Sequence, residues 1–196
     1  MTTSIICNYC NGNHTCRKCP IEKKVGPPVR KIVGLYMEYF VSKEINCPRC
    51  NENALCLLGT HAPSLDLTCS ICNTNFEIKS KCLSATDIPN DLVLNHGNYF
   101  DYLERQKSGL DFIIIIYGVD RKTKVINIRK VFYASHEMMI NRKYINVMRK
   151  KDSSLSEISI PNTIYIPEIV LDEEYFYDFS ENISYIINSN LSLEKN

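Results

Sequence analysis

Along residues 76–79 apolar and charged side chains alternate: Phe76 and Ile78 against Glu77 and Lys79. Successive side chains of a strand point to opposite faces, so this pattern predicts Phe76 and Ile78 entering a core while Glu77 and Lys79 share the other face. "SLDLTC", just upstream, is a second strand candidate, and the two form a predicted hairpin joined through Cys69 and Cys72. "VRKIVGLYMEYFVSKE" places apolar residues at Ile32, Leu35, Tyr36, Tyr39 and Phe40, a helical spacing, with Glu38 at the edge of that face. "FIIIIYG" has the length and continuity of a buried strand, and "KVINIRKVFYA" is a further strand. "NYFDYLERQK" predicts a helix closing near Gly109, and "NTIYIPEIV" a late strand. "EKKVGPPVRK" is charged and then breaks at Gly26-Pro27-Pro28, the pattern of a linker. "ATDIPNDLVLNHG" has the turn signals of a loop, and "LDEEYFYDFSENISYIINSN" predicts a C-terminal helix or a loose tail. Helices flanking a mixed sheet put the chain in the α/β class.

Composition agrees with a globular core: 44% of the 196 residues are hydrophobic and 23% charged, enough for one ordinary domain with appendages. Net charge is +1, but it is segregated. Residues 121–151 hold ten Lys or Arg and one acid, Glu137, whereas residues 152–196 hold nine acids and one base, Lys195. Two solvated faces would explain this. So would a basic surface that binds polyanions beside an acidic tail. The N-terminus lacks the basic and apolar regions of a signal peptide, and the longest purely apolar run, residues 112–117, is too short to span a bilayer. A soluble intracellular protein, cytoplasmic or nuclear, with no membrane partner is expected.

Eight of the ten cysteines fall into four C-x2-C pairs. Two thiolates at that spacing bind one tetrahedral metal from a tight turn, and two such turns complete a zinc site. Cys47, Cys50, Cys69 and Cys72 have a zinc-ribbon-like arrangement and predict a structural Zn²⁺. "CNYCNGNHTCRKC" predicts a second Zn²⁺, held by Cys7, Cys10 and Cys19 with either His14 or Cys16. His14 is favoured, because five residues between Cys10 and Cys16 leave little slack for closing a site. That choice resembles the zinc knuckle of nucleocapsid-type proteins, and Arg17 and Lys18 fit a nucleic-acid contact.

Asp66 precedes Glu77 by eleven residues, and Glu77-Ile78-Lys79 is an E-x-K. Hairpin strands can bring two such acids together, and converging carboxylates suit Mg²⁺, which keeps waters and substrate phosphate in its shell. A lysine beside them can orient water or stabilise charge in a transition state. The spacing alone is a weak signal. Its context strengthens it, because a zinc-locked turn between the acidic strands supplies the rigidity a metal site needs.

"INCPRC" followed by "LDLTCSICNTNFEIKSK" resembles the catalytic core of DpnI-type restriction endonucleases, members of the PD-(D/E)XK superfamily. The likeness extends more loosely through "YFDYLERQ", "FIIIIYG" and "INIRKVFYASHEMM" to about Ile166. It implies a PD-(D/E)XK core with a mixed central sheet and an embedded four-cysteine zinc site. By the resemblance Asp66 and Glu77 are ligands of catalytic Mg²⁺, Lys79 is the catalytic lysine, and Glu38 is an auxiliary acid on the first core helix. It implies a metal-dependent endonuclease acting on double-stranded DNA, restriction-type and sensitive to adenine methylation. Leu65 stands where the superfamily's name has proline, the N-terminal knuckle is an addition, and no winged-helix domain is expected after Ile166. The expected organisation is a knuckle and linker over residues 1–27, a nuclease domain over 28–170, and an acidic tail or helix over 171–196. Two other readings stay open: a non-catalytic zinc protein that binds nucleic acid, with Glu77 and Lys79 a surface ion pair, and a PD-(D/E)XK nuclease of repair, recombination or RNA.

Overall fold

The computed structural model describes residues 20–58, 65–83, 92–95, 107, 109–120, 123–141, 146–149, 156–160 and 166–180. The proposed N-terminal knuckle and nearly all of "NYFDYLERQK" lie outside them. In chain order the elements are α1 (Pro20–Glu44), β1 (Leu55–Leu57), β2 (Leu67–Cys69), β3 (Asn75–Cys82), β4 (Leu92–Asn95), β5 (Asp111–Asp120), β6 (Val125–Ala134), α2 (His136–Ile140), β7 (Asn146–Arg149), β8 (Ser156–Ile160), β9 (Glu168–Ile169) and β10 (Tyr175–Asp178). Among the described residues no helix is long and apolar enough to cross a membrane.

The chain forms two compact units. The larger comprises Met37–Gly118 and Ile128–Glu174. Its main sheet has the order β1-β2-β3-β5-β6, with β9 beside β6. β2 and β3 pair antiparallel as the predicted hairpin, while β3 and β5 pair parallel, so the sheet is mixed. β5 is buried on both faces because every residue from Asp111 to Ile116 is buried. Phe112, Ile114 and Ile116 join Leu110, Phe132, Ala134, Met139 and Ile166 in one apolar cluster. A second, antiparallel sheet has the order β4-β8-β7.

The smaller unit comprises Met1–Tyr36, Val119–Asn127 and Tyr175–Asn196. In it β10 lies next to β6, and the Phe179 N–H donates to the Lys124 carbonyl at 3.0 Å. Tyr36 stacks on Tyr177 with ring centroids 3.9 Å apart.

Several expectations need correction. The predicted linker is helical: α1 runs through Gly26-Pro27-Pro28. Proline's ring holds φ near the helical value, so the pair forfeits two N–H donors without leaving the helical region. The apolar stripe of α1 matches the predicted one only in part: Phe40 is buried and Ile32 and Tyr36 are half-buried, but the stripe is rotated away from Leu35 and Tyr39. Val33, Met37, Phe40 and Val41 are buried, whereas Leu35 is 46% and Tyr39 53% exposed. With apolar residues on most sides of this helix, periodicity permits either stripe. β4 lies inside the predicted loop, and within the predicted C-terminal helix or tail "EEYFYD" yields the strand β10, while residues 181–196 lie outside the described residues.

Candidate active site and metal centre

Two equivalent turns build the candidate metal centre. In each, the residue after the second cysteine is an asparagine with positive φ: Asn51 at 60° and Asn73 at 55°. Asparagine tolerates this left-handed region better than most residues. The Asn51 N–H donates to the Cys47 carbonyl at 2.7 Å, and Asn73 to Cys69 at 2.9 Å. The β1–β2 pairing and the Ser70 N–H bond to the Ala54 carbonyl, 2.9 Å, bring the turns face to face.

The four sulfurs then lie within 4.8 Å of one another, with Cys47–Cys72 and Cys50–Cys69 each at 3.6 Å. Thiolates at about 2.3 Å from a tetrahedral zinc would be roughly 3.8 Å apart. The donor set and spacing therefore suit a structural zinc. Burial pushes the Cys47 thiol up to about 12, while the Thr74 hydroxyl beside Cys72 pulls that thiol down to about 6. A bound cation would favour the thiolate at every position. Cys56 and Cys82 stand outside the cluster, both exposed.

The acids lie on the same hairpin. Asp66 directly precedes β2, and its N–H donates to the Phe76 carbonyl at 3.2 Å. Its Oδ2 accepts the Ile78 N–H at 2.6 Å. Glu77 and Lys79 share a face, as alternation requires, and the Lys79 ammonium pairs with Glu77 Oε1. Glu77 is only 4% exposed, and among the described residues its buried Oε2 accepts no hydrogen bond. From α1, Glu38 comes near Asp66: its carboxyl is raised above the usual carboxylate range, first by burial and then by the Asp66 charge.

The structure thus brings Asp66, Glu77 and Lys79 together on the hairpin and Glu38 close to Asp66. It does not gather the three carboxylates as tightly as the sulfurs. Among the described residues, the cysteines are the group of metal-ligating side chains converging within 4.8 Å. Asp66 is directed to the Ile78 N–H and Glu77 to Lys79.

Sequence reasoning missed Arg49 and Asp111. Asp111 heads β5 and is 0% exposed; it and Glu77 are the two buried acids among the described residues. Arg49, inside the first knuckle, donates from Nε to Asp111 Oδ2 at 2.7 Å and from Nη2 to Oδ1 at 3.0 Å. The Tyr133 hydroxyl donates to Oδ2 at 2.7 Å and the His136 N–H to Oδ1 at 2.8 Å. Burial and the bond to Asp111 push the Tyr133 phenol well above its ordinary range. Arg49 also meets Glu137 at 3.0 Å. The Ser135 hydroxyl, ahead of Arg49, holds the Glu137 carboxyl down to about 2. The available signal was a lone acid opening an otherwise apolar run.

Elsewhere, Lys130 of the basic segment pairs with Glu168 of the acidic one at 2.7 Å, both side chains being partly exposed.

The sequence model of a family described as DpnI: Dam-replacing family matches residues 28–174. No curated protein matches the chain.

Proposed function

The chain belongs to the DpnI, Dam-replacing family, and from that premise we propose that it is a metal-dependent endonuclease of restriction type, acting on double-stranded DNA through a PD-(D/E)XK core. The observation that carries this reading is the hairpin itself. Asp66 is bonded to the residue between Glu77 and Lys79, with Glu38 close by.

The residues fit a divalent cation. Burial and the neighbouring Asp66 charge destabilise the ionised form of Glu38, and Glu77 is an acid buried to 4% exposure. A cation among these carboxylates would offset that repulsion and desolvation. Asp66 and Glu77 would hold Mg²⁺, with Glu38 as an auxiliary acid. Bound there, Mg²⁺ would lower the pKa of water and neutralise phosphate charge. Lys79, released from Glu77, would orient the attacking water and stabilise negative charge on the scissile phosphate. The four-cysteine zinc would fix the turn between the acidic strands.

A surface ion pair, the arrangement a purely binding protein would show, fits poorly with Glu77 at 4% exposure. The proposed organisation keeps an N-terminal knuckle ahead of α1, with residues 20–27 as the first turns of that helix and not a linker, a nuclease domain over 28–170 and a C-terminal segment over 171–196. In the knuckle, Cys7, Cys10, His14 and Cys19 would hold a second zinc and add affinity for nucleic acid.

Incubating the full chain and Mg²⁺ with adenine-methylated DNA, unmethylated DNA and RNA tests the reading. DNA cleavage supports it, and the methylated and unmethylated arms assign methyl-sensitivity. Cleavage of RNA alone overturns the substrate, and no cleavage of any arm overturns the enzyme.

A further inference from the structure

We propose that Arg49 and Asp111 are positioning residues that carry the order of the four-cysteine centre to the strand bearing Glu77. The proposal rests on the nuclease reading above and deepens it.

Arg49 lies between Cys47 and Cys50, so the turn that would wrap the zinc also aims the guanidinium. That guanidinium grips Asp111 with two parallel bonds, Nε to Oδ2 at 2.7 Å and Nη2 to Oδ1 at 3.0 Å. Tyr133 of β6 and the backbone of His136 in α2 supply one further donor to each oxygen. Four donors from three parts of the fold meet the demands of a carboxylate that is 0% exposed. A charge buried so completely is tolerable only with such partners, which makes the position of Asp111 strict.

The ladder passes that strictness to the candidate catalytic strand. Asp111 pairs with Phe76 across β3 and β5, and the next pair is Glu77 with Phe112. β3 emerges from the second knuckle, whose Cys69 and Cys72 share the sulfur cluster with Cys47 and Cys50. The connections close a ring: first knuckle, Arg49, Asp111, β5, β3, second knuckle, and back through the shared cluster. A closed ring resists sliding and rotation of β3, the motions that would displace Glu77 and Lys79. Lysine could replace the charge of Arg49 but not its planar two-pronged fit.

The experiment compares wild type with Arg49→Lys and Asp111→Asn in the zinc-loaded full chain. Cleavage under saturating DNA with Mg²⁺, DNA affinity without Mg²⁺, zinc content, melting temperature and exchange of the Ile78 amide are measured. Ile78 is the useful reporter because its N–H is held by Asp66. The expected result for Arg49→Lys is retained zinc and DNA affinity, faster Ile78 exchange, and kcat lower by roughly 100-fold, the scale of a small misplacement of reacting groups. A lower melting temperature with wild-type kcat and wild-type Ile78 exchange well below the melt would overturn the proposal. Should Arg49→Lys fail to fold, Asp111→Asn gives the same readouts, because it keeps the side-chain shape and one carbonyl oxygen. If wild type cleaves nothing while either variant still speeds Ile78 exchange, the nuclease reading fails and the clamp stands.

Discussion

Asp66 Oδ2 accepts the backbone N–H of Ile78 at 2.6 Å, which ties the acid at the start of one strand to the residue separating Glu77 from Lys79 on the next. The same carboxylate therefore has a structural bond and a proposed metal-binding charge, and the two can be separated. Asp66→Asn keeps a carbonyl oxygen for Ile78, whereas Asp66→Ala removes it. The asparagine variant should melt close to wild type and the alanine variant should lose about 1–3 kcal/mol, while both lose cleavage. Thermal melts and cleavage on the same preparations check this. An asparagine variant that cuts at the wild-type rate would refute the assignment.

Lys79 is the ion-pair partner of a buried acid, their side chains being 22% and 5% exposed. Lys79→Met should destabilise the chain by about 1–3 kcal/mol, because Glu77 stays buried without its ammonium. Adding Glu77→Gln should restore much of that stability and none of the cleavage. A double-mutant cycle on melting and cleavage reads both. Restored cutting in the double variant would remove these residues from the chemistry.

Glu38 takes up a proton more readily in the folded chain than in the unfolded one. This favours the fold at low pH, and the benefit is lost as pH rises from the ordinary value of 4.5 through the raised folded value. Above that window ionised Glu38, desolvated and beside Asp66, works against folding. Glu38→Gln should therefore melt higher than wild type at neutral pH without divalent metal, and its stability should change less with pH across the window. Mg²⁺ should narrow the difference. Equal melting temperatures at neutral pH in metal-free buffer would contradict the assigned surroundings of Glu38.

Zinc at the four cysteines should behave as folding free energy. Cys72→Ser should release one equivalent of zinc and lower the melting temperature by upwards of about 10 °C. Stripping the wild-type chain with a chelator should do the same, and restored zinc should reverse it. Zinc loss with an unchanged melt would deny the cluster a structural role.

Much of this site is legible in local sequence because its rules are local. C-x2-C fixes a turn, alternation puts Glu77 and Lys79 on one face, and the apolar run after Asp111 specifies a buried strand. The Arg49–Asp111 pair is not legible in that way, since its partners are 62 residues apart and meet only through the fold. The burial of Glu77 is also hidden, because alternation assigns a face without saying what covers it. In α1, Leu35 and Tyr39 carry the same apolar character as Met37 and Val41, so composition could not choose the stripe. β10 alternates half-buried Tyr175 and Tyr177 with exposed Phe176 and Asp178, a strand pattern obscured by the acids around it.

The proposed chemistry is hydrolysis of DNA by the hairpin of Asp66, Glu77 and Lys79 with a divalent metal. The most direct measurement is cleavage of duplex DNA by the zinc-loaded chain, with Mg²⁺ or without it, beside an Asp66→Ala protein of verified zinc content and fold. Cutting by the wild type only with Mg²⁺, and none by the variant under either condition, is the expected result. Equal cutting by both proteins, or wild-type cutting that ignores Mg²⁺, would contradict it.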